Sequence, residues 1–521
     1  MVVTSDSRVE DVAPPPAVDD RALAGAWRRP LVLGAFAACV TLAIVQLLTI
    51  GRVELMFDEA YYALWSRNLA WGYLDHPPMV AAWVRASTSL FGPSEFGVRA
   101  LDALSMIAAP GVIAWMAWRL FGSVETAALA ALMWVAMPLA AAAILVTPDT
   151  PLTIFWTLAL AGLIEIWRTR RAAWWFFVGV AAGLALLTKF TGAFFGAGVV
   201  LALLTTPSLR RWLASPAPYL AAAVSLAIFA PFVVWNAEHG WMTFRFQFAR
   251  VPPHRFAPQF LAQYVAMQIG LMNPLTFCAA AAGVGATLAA RGRPLAPADE
   301  ARRLLLATIL PAVAYFALHA LHDAVQFNWL APIYPTVAIL AADAVARARA
   351  ATGASSRWRR FVAATGRYAP LLGVAGALFF DGQAATKALP LGSFDPTARI
   401  GDWGQLTQEV DRIARRENAQ FIIVGSYIGG YEEASLLTYY GDPTLPVVGE
   451  SDPDRWLFEP PPPPSLFSAP GIGFGRVDWG LDAALAKRFR KVEEIARVAR
   501  PDRDRPSRQY AIYRVEGLIA P

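Results

Sequence analysis

"FDEAYYALWSRNLAWGYLDHPPM", residues 57–79, follows the first long apolar run of the chain, and its reading decides the rest. It opens on adjacent carboxylates, Asp58 and Glu59, and closes on Asp75, His76 and two prolines. Phe57, Tyr61, Leu64, Trp65 and Leu69 recur at helical spacing. The segment is too short and too polar to span a bilayer, so this spacing predicts an amphipathic helix lying at the membrane interface. Neighbouring helical residues point about 100° apart, so Asp58 and Glu59 face different surroundings. Asp58 is either the N-cap of this helix or a general base, partly desolvated by the rings beside it. Glu59 then orients it or helps to hold a metal. Pro77 forces His76 into an extended conformation, which either shapes a turn or aims the imidazole at a ligand.

The chain around this segment is built for a membrane. It has 521 residues, 56% of them hydrophobic, with 19 Trp, 30 Phe and only 16% charged. That composition excludes an ordinary soluble domain and predicts a polytopic α-helical membrane protein. A net charge of +6 would suit a nucleic-acid partner, but the arginines lie mostly in short loops between apolar runs, as membrane topology dictates. No nucleic-acid role is expected. Cys39 and Cys278 both fall inside apolar runs, so no disulfide framework forms outside the membrane. Residues 1–30 are polar and expected to be disordered; the run after them lacks a small-residue cleavage site and is expected to stay as an anchor.

A spanning helix needs about 20 apolar residues, which places about eleven spans near 31–51, 99–121, 124–146, 150–167, 173–188, 191–206, 217–236, 263–290, 303–321, 326–346 and 362–380. With the N-terminus in the cytoplasm, the loops "RTRR" (168–171), "SLRRW" (208–212), "RGRPLAPADEARR" (291–303) and "RARAATGASSRWRR" (347–360) are all cytoplasmic and arginine-rich. The outer side then receives loop 52–98, the "TPDTP" turn with Asp149, and the tail 381–521. The tail changes composition from membrane to soluble. "AQFIIVGSYIGG" predicts a strand and turn, "EEASLLTYYG" a helix ending at Gly441, and "LPVVG", "KVEEIARVAR" and "RQYAIYRVEG" further strands, with "EPPPPPS" (459–465) a stiff linker between them. This is a small extracytoplasmic α/β domain following a transmembrane domain at 31–380, and it carries no catalytic motif.

Other outer residues carry chemistry of the same kind. Asp149 sits between prolines in a short turn, where it either caps the next span or enters a cleft. Lys189 is the only lysine of the membrane half and needs an anionic partner, a lipid phosphate or a loop carboxylate. Loop 236–262 interleaves Arg245, Arg250 and Arg255 with aromatics, suited to phosphate or to a membrane belt. "LHDAVQFNWLAPIYP" (321–335) adds His322, Asp323 and Asn328. Carboxylates, cations and rings on one membrane face suit a reaction between a phosphate-bearing lipid and a second substrate.

The order "DEAYYALW", "HPP", "TPD", "LTK" and "NWLAPIYP" resembles the dolichyl-phosphate-mannose–protein mannosyltransferase superfamily, whose bacterial branch includes the lipid A aminoarabinose transferase and the rhizobial galacturonosyltransferases. The resemblance covers residues 31–346 by motif order. It implies a GT-C fold and an inverting glycosyltransferase taking sugar from a polyprenyl phosphate, with a glycolipid, glycan or protein as acceptor. It implies that Asp58 is the catalytic carboxylate with Glu59 beside it, Asp149 the second acid, Lys189 a contact for the lipid phosphate, and one of the later arginines its partner. His76 departs from the pattern, since many relatives have lysine before the two prolines. No cofactor is required; Glu59 and His76 are of the kind that could hold a divalent metal, but the sequence does not require one. The rival reading is a lipid or glycan transporter or flippase, which predicts acids within the spans; the spans are expected to be almost free of them. Arginine-rich coding points to a bacterial inner membrane with a periplasm.

Overall fold

The computed structural model describes residues 25, 28–138, 145–249, 256–289, 296–351, 356–398, 400–425, 430–449, 453–500 and 509–519. The first span, α1 (Pro30–Thr49), starts on a proline and buries only Ala35, Leu42, Gln46 and Thr49, leaving the rest of its apolar surface to lipid. The loop that follows folds into α2 (Phe57–Arg67) and α3 (Met79–Phe91). Next come α4 (Glu95–Phe121), capped by Ser94 and stopped by Gly122 at φ 64°, and α5 (Val124–Val135), capped by Ser123. The bundle continues through α6 (Asp149–Thr169), α7 (Ala173–Thr188), α8 (Ala193–Thr205), α9 (Ala217–Glu238) and the short α10 (Met242–Phe248). It ends with α11 (Gln259–Leu271), α12 (Pro274–Ala289), α13 (Pro297–His319), α14 (Tyr334–Ala350) and α15 (Arg357–Thr386).

Every expected apolar run contains a helix, but not every run is one span. Among the described residues six helices are long and apolar enough to cross a bilayer, or up to eight if each of two bent pairs is a span. The run expected as a single span at 263–290 breaks at Asn273, whose φ is 65°, and Pro274, so that α11 and α12 meet at 106°. Helices approach closely where the residues are small. A Cβ on Gly179 would lie 2.5 Å from the Ala221 carbonyl, and one on Gly198 2.7 Å from Thr308, so these glycines set the α7–α9 and α8–α13 spacings.

The expectation that the spans carry almost no acids needs correction, because Asp102 lies wholly buried in α4 and Asp343 in α14. Asp343 is neutralised by Arg302 at 2.8 Å and Arg347 at 2.9 Å, and Glu165 pairs with Arg119. Glu165–Arg119 sits at the bundle end opposite Asp149, sixteen helical steps or about 24 Å along α6, and Arg302 over the Phe121 ring places the Asp343 group at that end too.

The tail forms a five-stranded sheet in the order β2–β1–β3–β5–β4. β1 (Ile422–Val424) runs parallel to β2 (Val447–Gly449) and β3 (Gly471–Arg476); β5 (Gln509–Leu518) is antiparallel to β3 and to β4 (Phe489–Ala499). Two helices, α16 (Trp403–Arg416) and α17 (Tyr431–Tyr440), join it to the loop helices. Tyr61, Trp65 and Val84 from the loop share one apolar core with Trp403, Val410, Leu437 and Tyr510 from the tail. Hence α2 is not an interfacial helix: every residue from Glu59 to Ser66 is buried, sandwiched between bundle and tail domain.

Candidate active site

Helix α2 begins one residue before Asp58, with Met56 as its N-cap, so Asp58 is not the cap. The 100° step sends its two acids apart. The Glu59 carboxylate turns inward, where Oε1 accepts from Arg99 Nε at 2.7 Å and Oε2 from Nη2 at 2.6 Å, with both side chains at most 1% exposed. It also accepts from the backbone N–H of Met56 and of Val146, each at 2.9 Å. Four donors satisfy it completely, and it has no free lone pair for a substrate or metal. Arg99 uses its remaining donors on the carbonyls of Ile50, Val53 and Glu54.

Asp58 turns the other way, half-buried, and its Oδ1 accepts from the Tyr431 hydroxyl at 3.2 Å. Burial pushes its carboxyl up to about 7; the Tyr431 hydrogen bond opposes the rise, the charges of Glu432 and Asp75 add to it, and Arg455 lowers it. Tyr431 comes from α17, so the tail domain reaches the carboxylate directly. A second tail residue, Arg455, grips Asp75 with Nη1 at 2.6 and 2.7 Å from its oxygens, and its carbonyl accepts from Tyr61 Oη at 2.9 Å. The Arg455 guanidinium lies 4.3 Å from the centre of the Tyr431 ring. Trp65 stacks on Tyr73 at 3.9 Å, which fixes the turn leading to Asp75 and His76. His76 is half-buried, its ring centre 6.4 Å from that of Tyr62.

Across Tyr62 lies a second cluster. Asp149, 3% exposed, is the first residue of α6, and its oxygens accept from Lys189 Nζ at 2.9 and 3.0 Å and from Asn328 Nδ2 at 2.6 Å. Lys189 takes extended backbone just past α7, which frees its side chain to cross to α6; Nζ also lies 6.0 Å from the Trp329 ring centre. Tyr62 is within electrostatic reach of Asp58, Asp75 and Asp149, and so lies between the two clusters.

Other expected residues stand outside this arrangement. Arg245 is exposed on α10, and His322 packs edge-on to Phe256 with ring centres 6.1 Å apart. Arg250 and Arg255 lie outside the described residues. Among the described residues no three His, Cys, Asp or Glu side chains converge as a metal site requires. Tyr431 and Arg455 were not foreseen: no motif marks them, and they meet loop partners 373 and 380 residues away.

A helical membrane bundle whose first long loop holds an acidic helix under a small α/β cap has the GT-C architecture. Residues 75–235 match the family model described as dolichyl-phosphate-mannose-protein mannosyltransferase, the superfamily that the motif order resembles. The chain is 29% identical over 305 residues to the lipid A galacturonosyltransferase RgtD of Rhizobium johnstonii; this covers 58% of the chain and 63% of the relative, less than two thirds of its length. In fold it is similar to ArnT from Cupriavidus metallidurans in the apo state, with a TM-score of 0.64 at 20% identity over 92% of this chain and 98% of that one. The same enzyme bound to undecaprenyl phosphate superposes with a TM-score of 0.63 at 19% identity, with the same coverage of both chains.

Proposed function

We propose that this protein is an inverting glycosyltransferase that moves a sugar from a polyprenyl-phosphate donor to an envelope acceptor, lipid A in the first instance. The observation that carries the reading is Asp58: a half-buried carboxylate raised to about 7, turned away from Glu59, with the Lys189–Asp149 pair on the far side of Tyr62. A group tuned there takes a proton readily near neutral pH. In the reaction, Asp58 removes the proton of the acceptor hydroxyl or amine, whose lone pair forms a bond to the anomeric carbon. The bond from that carbon to the donor phosphate oxygen breaks, and its electron pair leaves with the polyprenyl phosphate. Lys189 meets the charge that develops there, held until the phosphate arrives by Asp149, which Asn328 in turn orients. Glu59 is assigned a positioning role, and His76 lies beside Tyr62. A metal has no part in this scheme.

Supporting the acceptor class, the curated relative is named for lipid A; supporting the donor class, the neighbouring solved structure holds undecaprenyl phosphate. The arginine-rich loops at the end opposite Asp149 support a cytoplasmic N-terminus, and hence a periplasmic tail domain in a bacterial inner membrane. The transporter reading gains nothing from Asp343, which is locked between two arginines.

Mass spectrometry of envelope glycolipids from a deletion strain, with and without the wild-type gene, tests the proposal. A sugar-sized mass lost on deletion and restored by the gene is the expected result; glycolipids and glycoproteins unchanged in the deletion overturn it. Lys189→Met should lower the transfer rate about 10²-fold or more, the size of losing one preorganised charge at a leaving group, with Lys189→Arg retaining part of it. Single-turnover rates at saturating donor check this. A Lys189→Met enzyme at wild-type rate removes the lysine from the mechanism.

A further inference from the structure

Across α2 from Asp58 lies a cavity that the transfer reaction does not use. Asp58 and Arg67 are nine residues apart, half a turn out of phase on the helix, so the two face opposite sides of it. The cavity measures about 300 Å³ and is lined by Arg67 and Ser66 of α2, Arg85, Thr88 and Ser89 of α3, and Tyr439 of α17. No acidic side chain is in its lining. Neither guanidinium has a hydrogen bond or ion pair among the described residues; Arg67 lies 5.8 Å from the centre of the Tyr439 ring, and Glu459 is within its electrostatic reach without lining the cavity. Tyr439 is itself anchored, donating to the Pro93 carbonyl at 3.1 Å, so the tail domain walls one side.

Two like charges facing one hollow repel each other unless an anion sits between them, and the arginine fork suits phosphate oxygens. The exposed residues that follow the lining arginines and serine in sequence decide what carries that phosphate. Leu90 and Phe91, directly after Ser89, are 73% and 40% exposed, and Leu69 and Trp71, just past Arg67, are 56% and 61% exposed. Apolar and aromatic side chains left bare beside arginines are the pattern of a membrane interface, where lipid headgroups lie.

We propose that this cavity binds the phosphate monoester of a membrane lipid, at a site separate from Asp58. The inference stands whatever chemistry Asp58 performs. Full-length protein in detergent is incubated with dioleoyl phosphatidic acid or dioleoyl phosphatidylcholine, and bound lipid is counted by native mass spectrometry. Wild type should retain phosphatidic acid about tenfold over phosphatidylcholine, the value of roughly one net charged hydrogen bond. Arg67→Ala/Arg85→Ala should lose that preference while melting at the wild-type temperature, and Arg67→Lys/Arg85→Lys should keep most of it. Asp58→Asn should retain lipid like wild type, so failure of the transferase reading leaves this result intact. An unchanged preference in the double alanine variant overturns the proposal. So does release of the lipid by millimolar inorganic phosphate, which would make free phosphate the ligand.

Discussion

Asp58→Asn lowers the transfer rate by about 10²–10⁴-fold, the usual worth of a positioned general base, and leaves the melting temperature of the purified protein close to wild type. The amide keeps the shape and still accepts from Tyr431, but it cannot take a proton. The wild-type pH profile carries the same signature. As the proposed base, Asp58 would work only when deprotonated, and burial raises its carboxyl to about 7, so the rate should climb with pH below about 7 and level off above it. On the acid limb the slope should approach about tenfold per pH unit. Tyr431→Phe separates tuning from architecture. The hydroxyl holds the Asp58 carboxyl down, so its loss raises that carboxyl further and moves the profile to higher pH. The variant should be slow near neutrality and recover in alkaline buffer, whereas collapse of the site would depress the rate at every pH. Wild-type transfer by Asp58→Asn would remove Asp58 from the chemistry.

What the sequence made legible follows the range of the interactions. Apolar runs, motif order and the tail strands are local or periodic signals, and the helix ending at Gly441 falls where its spacing places it. The divergence of Asp58 and Glu59 needs only the helical step. Asp149, Lys189 and Asn328 stood in separate loops, and only topology put them on one face; their contact required the fold. Strand β3, "GIGFGR", went unread because glycine is a poor strand former; here Gly471 and Gly473 are demanded by the Phe421 ring and Leu485, which a Cβ would meet at 2.2 and 2.4 Å. Helix α2 looked interfacial because its polar edge has no visible local cover. The cover, α17 and the segment around Arg455, lies hundreds of residues downstream, beyond any periodic signal. Arg99 opens an apolar span, and a buried arginine there requires an acid; Glu59 was the candidate.

That pair carries the largest expected effect on stability. Glu59 binds Arg99 of α4, the N-cap of its own helix and the N–H of Val146, while Arg99 closes the turn after α1. Residue 58 is its neighbour on one side, and Asp149 lies three residues beyond Val146 on the other. A single buried carboxylate therefore fixes the distance between the proposed base and the Lys189 cluster. Removing one partner leaves an uncompensated charge in the interior, on the order of 3–5 kcal/mol. Arg99→Met should be worse than Glu59→Gln, because it also strands the carbonyls of Ile50, Val53 and Glu54. Both variants should melt well below wild type in detergent, and both should lose transfer together with stability. Asp58→Asn should lose transfer alone. A Glu59→Gln protein that melts like wild type yet has lost transfer would return Glu59 to the chemical step. The split between rate and melting temperature across these three variants thus separates the acid that acts from the acid that holds it in place.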